Sequence, residues 1–166
     1  MHKEAYAFVA GVVGGLDLRG KRVLEIGSLD VNGSVRPLFA GASDYIGIDL
    51  TSGRGVDLVG DAEEFDGRGE FDVVVCCEVL EHTRKPEGII QSARRALKGG
   101  GWLILTCASD GRDPHSTRGG PLAGECYANL DVGRVGQLFA EGWASVTIDV
   151  HLEHHDIYVT AQKDGK

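Results

Sequence analysis

No apolar run in this chain reaches the roughly 18 residues a membrane-spanning helix needs, so no membrane association is expected. Basic residues are scarce: 17 Lys and Arg stand against 25 Asp and Glu, a formal charge of −8 with a pI near 5.2. That deficit argues against a general electrostatic grip on nucleic-acid phosphates, which needs clustered cations, and leaves room only for a small local anion pocket. The four cysteines are too few for a disulfide scaffold, and Cys76 and Cys77 lack metal-ligand spacing with Cys107 or Cys126. Reduced thiols in a cytoplasmic protein are therefore expected. Internal repeats and low-complexity linkers are missing as well, and 166 residues suit one domain, 1–166, with a continuous core.

A further absence is more pointed. Leu24-Glu25-Ile26-Gly27 reads as the end of a buried strand entering a glycine-rich loop, yet Leu29 stands where the second glycine of G-x-G-x-x-G belongs. The next glycine is Gly33. Asn32-Gly33 is expected to make the tight turn that the missing glycines would have made.

What is present alternates strand and helix. Strand candidates are residues 22–26, 45–50, 56–59, 71–77, 102–107, 145–152 and 157–162. Residues 71–77 (FDVVVCC) are apolar throughout, as in a strand buried on both faces, whereas the last two alternate more, suggesting a more exposed edge. Residues 1–18 are expected to form an amphipathic helix with Tyr6, Val9, Val13 and Leu16 on one face, in preference to a signal peptide. A helix capped at residues 32–34 is expected to run to Ala40, shortened by Pro37. Others are expected at 86–97, stopped by Gly99-Gly100-Gly101, and at 131–139 with Val132, Val135, Leu138 and Phe139 inward. The cluster Asp61-Ala62-Glu63-Glu64 reads as a solvated helix start. The pattern predicts an α/β fold with a single doubly wound, mostly parallel seven-stranded sheet and an antiparallel C-terminal hairpin.

Ligands of such sheets bind outside the carboxyl ends of the strands. Those ends carry Glu25, Gly27, Ser28, Asp30 and Asn32-Gly33; then Asp49; then Asp61 and Ala62; then Glu78, Val79, Glu81 and His82. A carboxylate at Asp49, 24 positions after Glu25, suits the two hydroxyls of a ribose. Asp61 suits the amino group of an adenine. Residues 108–127 form a long, polar, Gly/Pro-rich loop, and loops of that length in compact domains are usually functional or disordered.

VLEIG, YIGIDL, GD-A, FDVVVCCEVLEH and LKGGGWLILT, in that order from Val23 to Thr106, resemble the class I S-adenosylmethionine-dependent methyltransferases, a Rossmann-like family, in its small type 11-like group. The resemblance implies S-adenosyl-L-methionine as cofactor and S-adenosylhomocysteine as product. By it, Glu25 orients the loop or meets the methionine amino group through water, and Gly27 and Ser28 lie against the methionine part. Asp49 binds the ribose, Leu50 packs on the adenine, Asp61 and Ala62 read the adenine edge, and Glu78 and Val79 close the pocket near the sulfonium. The family loop is usually acidic-x-Gly-x-Gly-x-Gly, from which this one departs. The cofactor has no phosphate, so the loss of phosphate-binding glycines weighs more against a dinucleotide.

His82 is the candidate base, or fixes its loop by hydrogen bonds. Arg112, His115, Arg118 and Tyr127 are candidates for the acceptor, or else solvated loop residues. His151–Asp156 (HLEHHD) resembles a metal cluster but reads better as an exposed turn, and no metal ligands are assigned. No Asn/Asp-Pro-Pro-aromatic motif, which the resemblance associates with amino-methylating nucleic-acid enzymes, is present, since Cys76-Cys77-Glu78-Val79 stands there. A small-molecule or saccharide acceptor is favoured. A non-catalytic adenosyl-ligand-binding module and an NAD-dependent oxidoreductase are the rival readings. No motif encodes the acceptor's identity or the oligomeric state.

Overall fold

The computed structural model describes residues 2–118, 120, 122 and 124–165. Seven strands form one sheet: β1 (Arg22–Ile26), β2 (Asp44–Asp49), β3 (Leu58–Val59), β4 (Phe71–Cys77), β5 (Leu97–Ala108), β6 (Trp143–His151) and β7 (Asp156–Lys163). Their spatial order is β3-β2-β1-β4-β5-β7-β6. The first five are parallel, and β7 runs antiparallel to both β5 and β6. The chain leaves β1 toward one edge and re-enters at β4 toward the other, so the switch in strand order falls between β1 and β4.

Helices α1 (Lys3–Val13), α2 (Pro86–Ala96) and α3 (Val132–Leu138) cover the faces. Alternation along β4 serves both layers: Val74 and Cys76 face the core under α2 and α3, while Val73 and Val75 face Val9, Val13 and Phe39. This two-sided burial explains why β4 reads as unbroken hydrophobic sequence. Pro86 opens α2, and Ile89, Ile90 and Ala93 are buried from it.

Several local expectations fail for identifiable reasons. Residues 32–40 form only a 3₁₀ turn, Arg36–Phe39, with Pro37 in its first turn; Ser34 Oγ accepts the Arg36 N–H at 3.0 Å instead of capping a helix. LKGGG does not stop α2 with a loop: β5 begins at Leu97, immediately after the helix. Asp61 to Glu64 is a turn, not a helix start. The third strand shrinks to two exposed residues at the sheet edge.

On α1, Ala5 replaces Tyr6 in the buried row with Val9 and Val13, and Tyr6 is exposed; the helix ends at Val13, well short of residue 18. Val132 is exposed, and only Val135 of α3 is fully enclosed. Strand β7 is no edge. It lies between β5 and β6, with Ile157, Val159 and Ala161 buried, and β6 is the true edge. Asp156, expected in an exposed turn, is wholly buried. Of the expected 108–127 loop, Gly119, Pro121 and Ala123 lie outside the described residues, as does Met1 of the first helix.

Candidate active site

The carboxyl ends of β1 to β4 open into one cavity of about 670 Å³, a size ordinary for a small-molecule site. Its wall includes every cofactor candidate, Glu25, Gly27, Ser28, Asp49, Leu50, Asp61, Ala62, Glu78 and Val79, with His82 beside them and Arg112, His115 and Arg118 from residues 108–127. Tyr127 is not in the wall. It packs edge-on against His82 and His115, with ring centroids 5.3 and 5.1 Å away.

Gly27 has φ +76°, and its N–H donates to Ile48 O at 2.9 Å, tying β1 to the end of β2. A Cβ at Gly27 would collide with Val79. The glycines absent after Gly27 are supplied by the segment that faces the loop. Ser28 and Leu29 occupy space that Gly47, Gly53 and Gly55 leave open, and a Cβ on any of the three would strike them or one another. The loop is also pinned by charge: Asp30 pairs with Arg54 at 2.9 Å, and its Oδ1 accepts the Gly33 N–H at 2.9 Å. Asp49 joins the two segments, its carboxylate accepting N–H from Leu29 at 3.2 Å and from Thr51 at 3.0 Å.

Glu25 lies at the end of β1 with Oε2 buried and unpaired. Burial first, with the charges of Asp30 and Asp49 adding to it, pushes its carboxyl up to about 7. The folded state therefore keeps a proton that the unfolded chain loses above its ordinary value of 4.5, so stability falls as pH climbs from about 4.5 to 7 and then levels. The loss reaches about 3 kcal/mol at most. Urea unfolding at pH 5 and pH 8 should show this slope in the native chain and a flatter one in Glu25→Gln; equal slopes would remove the assignment.

Glu78 follows β4 in the left-handed region, φ +57°, a strained conformation for a non-glycine residue of the kind that gathers at functional sites. Its Oε1 accepts the Thr106 hydroxyl at 2.8 Å, and its Oε2 lies 3.4 Å from His2 Nε2 and 3.8 Å from Arg112. Burial alone would raise its carboxyl, but His2 and Thr106 together hold it below the usual range. His2, from the chain's start, also lies 3.3 Å from Asp156. Contacts with Asp156 first, then Glu78, lift its imidazole to about 10, so it is cationic.

Arg112 is committed: it donates to Asp156 at 2.8 Å and to His154 O at 2.9 Å. The loop carrying it is braced by Glu125, which accepts from the Ser116 and Thr117 hydroxyls at 2.6 and 2.7 Å. His82 is pushed below its ordinary value by burial and then by the neighbouring His115, and its Nδ1 is buried without a hydrogen-bond partner. Cys76 and Cys77 are packed in β4, and burial raises both thiols away from reactivity.

His2 carries no role from the sequence; Glu81 stands among the residues ending the fourth strand without an assigned task, and Asp156 reads within HLEHHD as part of an exposed turn. Tertiary packing brings all three to this region.

Comparison with known proteins agrees with this geometry. A family model described as a methyltransferase domain matches residues 4–153. The ubiquinone biosynthesis O-methyltransferase of Thiobacillus denitrificans is 34% identical over 106 residues, which are 54% of this chain and 45% of that protein. The chain thus spans about half the length of the curated relatives it matches. Among solved structures, phosphoethanolamine N-methyltransferase 2 of Haemonchus contortus in complex with S-adenosyl-L-methionine superposes with a TM-score of 0.73 at 15% identity, covering 98% of this chain and 53% of that one. The 1,6-didemethyltoxoflavin-N1-methyltransferase of Burkholderia thailandensis, with bound 1,6-didemethyltoxoflavin and S-adenosylhomocysteine, gives 0.67 at 17% identity over 98% of this chain and 77% of that one. With the strand order, the switch-point cavity and a family match spanning nearly the whole sheet, this chain belongs to the methyltransferase domain family.

Proposed function

We propose that the chain binds S-adenosylmethionine in the switch-point cavity and passes its methyl group to a small-molecule acceptor, releasing S-adenosylhomocysteine. One observation carries the reading: Glu25, Asp49, Asp61 and Glu78, from four different strand ends, converge on a single cavity. A cationic sulfonium and a methionine ammonium suit that acidic wall. A dinucleotide pyrophosphate does not, which disfavours NAD. Asp49 takes the ribose hydroxyls beside Leu50, Asp61 and Ala62 take the adenine edge, and Gly27 and Ser28 border the methionine part with Glu25. Glu78 and Val79 close the pocket by the sulfonium.

Methyl transfer is an in-line displacement in which the acceptor's lone pair attacks the methyl carbon while the sulfur leaves as a neutral thioether. The protein's share is chiefly to align the two and exclude water. An acceptor hydroxyl or ammonium must also lose a proton, and His82 is placed to receive it. His115 and Arg118 face the acceptor's side of the cavity, Tyr127 supports both histidines, and Arg112 contributes through the shape of the loop. The net charge of −8 disfavours a nucleic-acid acceptor. Four free cysteines accord with a cytoplasmic location.

Calorimetric titration with S-adenosylhomocysteine and NAD tests the reading. Binding of the first and not the second is expected. Asp49→Ala should weaken it at least about tenfold, or 1.4 kcal/mol; unchanged affinity would displace the ribose from Asp49. A non-catalytic module would bind the adenosyl ligands yet transfer no labelled methyl to any metabolite in an extract.

A further inference from the structure

The wall of the switch-point cavity is divided by charge. Its carboxylates, Glu25, Asp49, Asp61, Glu63 and Glu78, all lie at or just beyond the ends of β1 to β4. Residues 82–84 and 112–126 close the other side. They contribute His82, Arg84, Arg112, His115 and Arg118 to the wall and, among the described residues, no carboxylate. In a chain with 17 basic residues against 25 acidic ones, such a grouping runs against the composition.

Two of these arginines have no anionic partner. Arg112 is taken by Asp156, and arginines elsewhere, Arg22, Arg36 and Arg54 among them, pair with carboxylates. Arg84 and Arg118 are exposed and, among the described residues, form no ion pair. The acids beside them are spent on other groups. Glu63 binds the residues that flank Arg84: it accepts the Thr83 hydroxyl at 3.0 Å and lies 3.5 Å from Lys85 Nζ. Glu125 accepts the Ser116 and Thr117 hydroxyls and the Thr117 N–H, at 2.6, 2.7 and 2.8 Å, just ahead of Arg118. The backbone is nonetheless held at both places. The Lys85 N–H donates to Thr83 Oγ1 at 3.0 Å across Arg84, and the Arg118 N–H donates to Ser116 Oγ at 3.1 Å.

We propose that Arg84 and Arg118 bind an anionic group of the methyl acceptor, a carboxylate or a phosphate monoester, on the acceptor side of the cavity. The inference rests on the methyl-transfer reading and narrows its small-molecule acceptor to an acid. A guanidinium presents a planar fork of N–H donors that matches either anion with two parallel hydrogen bonds. One exposed ion pair contributes little, so two arginines acting on one group are needed, and added salt should weaken them. The division of charge also orients the acceptor. The carboxylates of the cofactor half repel its anion, so the molecule enters with its uncharged end toward the methyl group. An anion on this side raises the proton affinity of His82, which burial and His115 lower, so the charged end of the acceptor prepares the base for its reacting end.

The test is calorimetric, on protein saturated with S-adenosylhomocysteine, with benzoate, phenyl phosphate and uncharged benzamide as probes. At least one of the two anions should bind about tenfold or more tightly than benzamide, and the tighter of them tells carboxylate from phosphate. Arg84→Ala and Arg118→Ala should each weaken that anion about threefold, and the double variant about tenfold. Arg19→Ala, an exposed change in the turn before β1, should leave its affinity as it was. Neither anion preferred over benzamide, an affinity unmoved in the double variant, or one lowered as much by Arg19→Ala would each overturn the inference. S-adenosylhomocysteine affinity, measured on the same samples, keeps the two readings apart. Where it holds and the anions fail, only the acidic acceptor falls; where it fails, the methyl-transfer reading falls and takes the acceptor with it.

Discussion

Gly27→Ala is expected to destabilise the fold by about 2–5 kcal/mol and to abolish adenosyl-ligand binding. Two independent costs meet at this position. With φ at +76°, any Cβ there pays roughly 1–2 kcal/mol for the left-handed conformation. The added methyl also collides with the Val79 side chain across the cavity floor, and overpacking of that kind costs about 1–3 kcal/mol. Relief by local movement is blocked, because the Gly27 and Ser28 N–H groups are both anchored on Ile48 O, at 2.9 and 3.2 Å. The two costs separate in a double variant. Removing the γ-methyls in Gly27→Ala/Val79→Ala should recover the collision and leave the backbone strain, so denaturant midpoints should show a partial rescue. A Gly27→Ala protein with the native midpoint would mean that the loop relaxes freely, and the account of a pinned turn would fall.

The same turn shows where sequence is a good guide and where it stops. β1 and β4 match their expected bounds, Arg22–Ile26 and Phe71–Cys77, because both are two-sided core strands whose apolar runs end at polar or glycine residues. The places of Asp49, Asp61 and Glu78 on the cavity wall were legible for a related reason: each is the first acidic group at or beyond the end of a strand. The architecture of the loop was not. Its missing glycines reappear as Gly47, Gly53 and Gly55 on a segment some twenty residues later, and only parallel pairing of β1 with β2 brings the two stretches face to face. Tyr6 fails for a different reason. Helical spacing marks a row of residues, but neighbouring rows compete, and small Ala5 lets α1 approach the sheet more closely than Tyr6 would. β7 reads as an edge because its sequence alternates, although β6 covers it.

Arg112 presents the sharpest difference between a sequence role and a structural one, and its removal is the second large effect expected. As an acceptor contact it would alter KM and leave stability alone. The structure instead commits its guanidinium to Asp156, which is entirely buried. Deleting one partner of a buried ion pair costs about 3–5 kcal/mol, because the other charge is left uncompensated. Here His2 at 3.3 Å and the Tyr158 hydroxyl at 3.0 Å still face Asp156, and Arg112 itself is partly exposed, so Arg112→Ala should lose a smaller share, about 2–4 kcal/mol. The bond to His154 O also ties residues 108–127 to the β6–β7 turn, so the loop should loosen with it and the acceptor side of the cavity with the loop. Neutralising the stranded charge supplies the discriminating test. Asp156→Asn added to Arg112→Ala should recover at least about 1 kcal/mol of the urea-unfolding free energy, since an amide tolerates burial without a cation better than a carboxylate does. If Arg112→Ala instead unfolds at the native midpoint and only KM rises, the arginine serves the acceptor directly and Asp156 is held by His2 and Tyr158 alone.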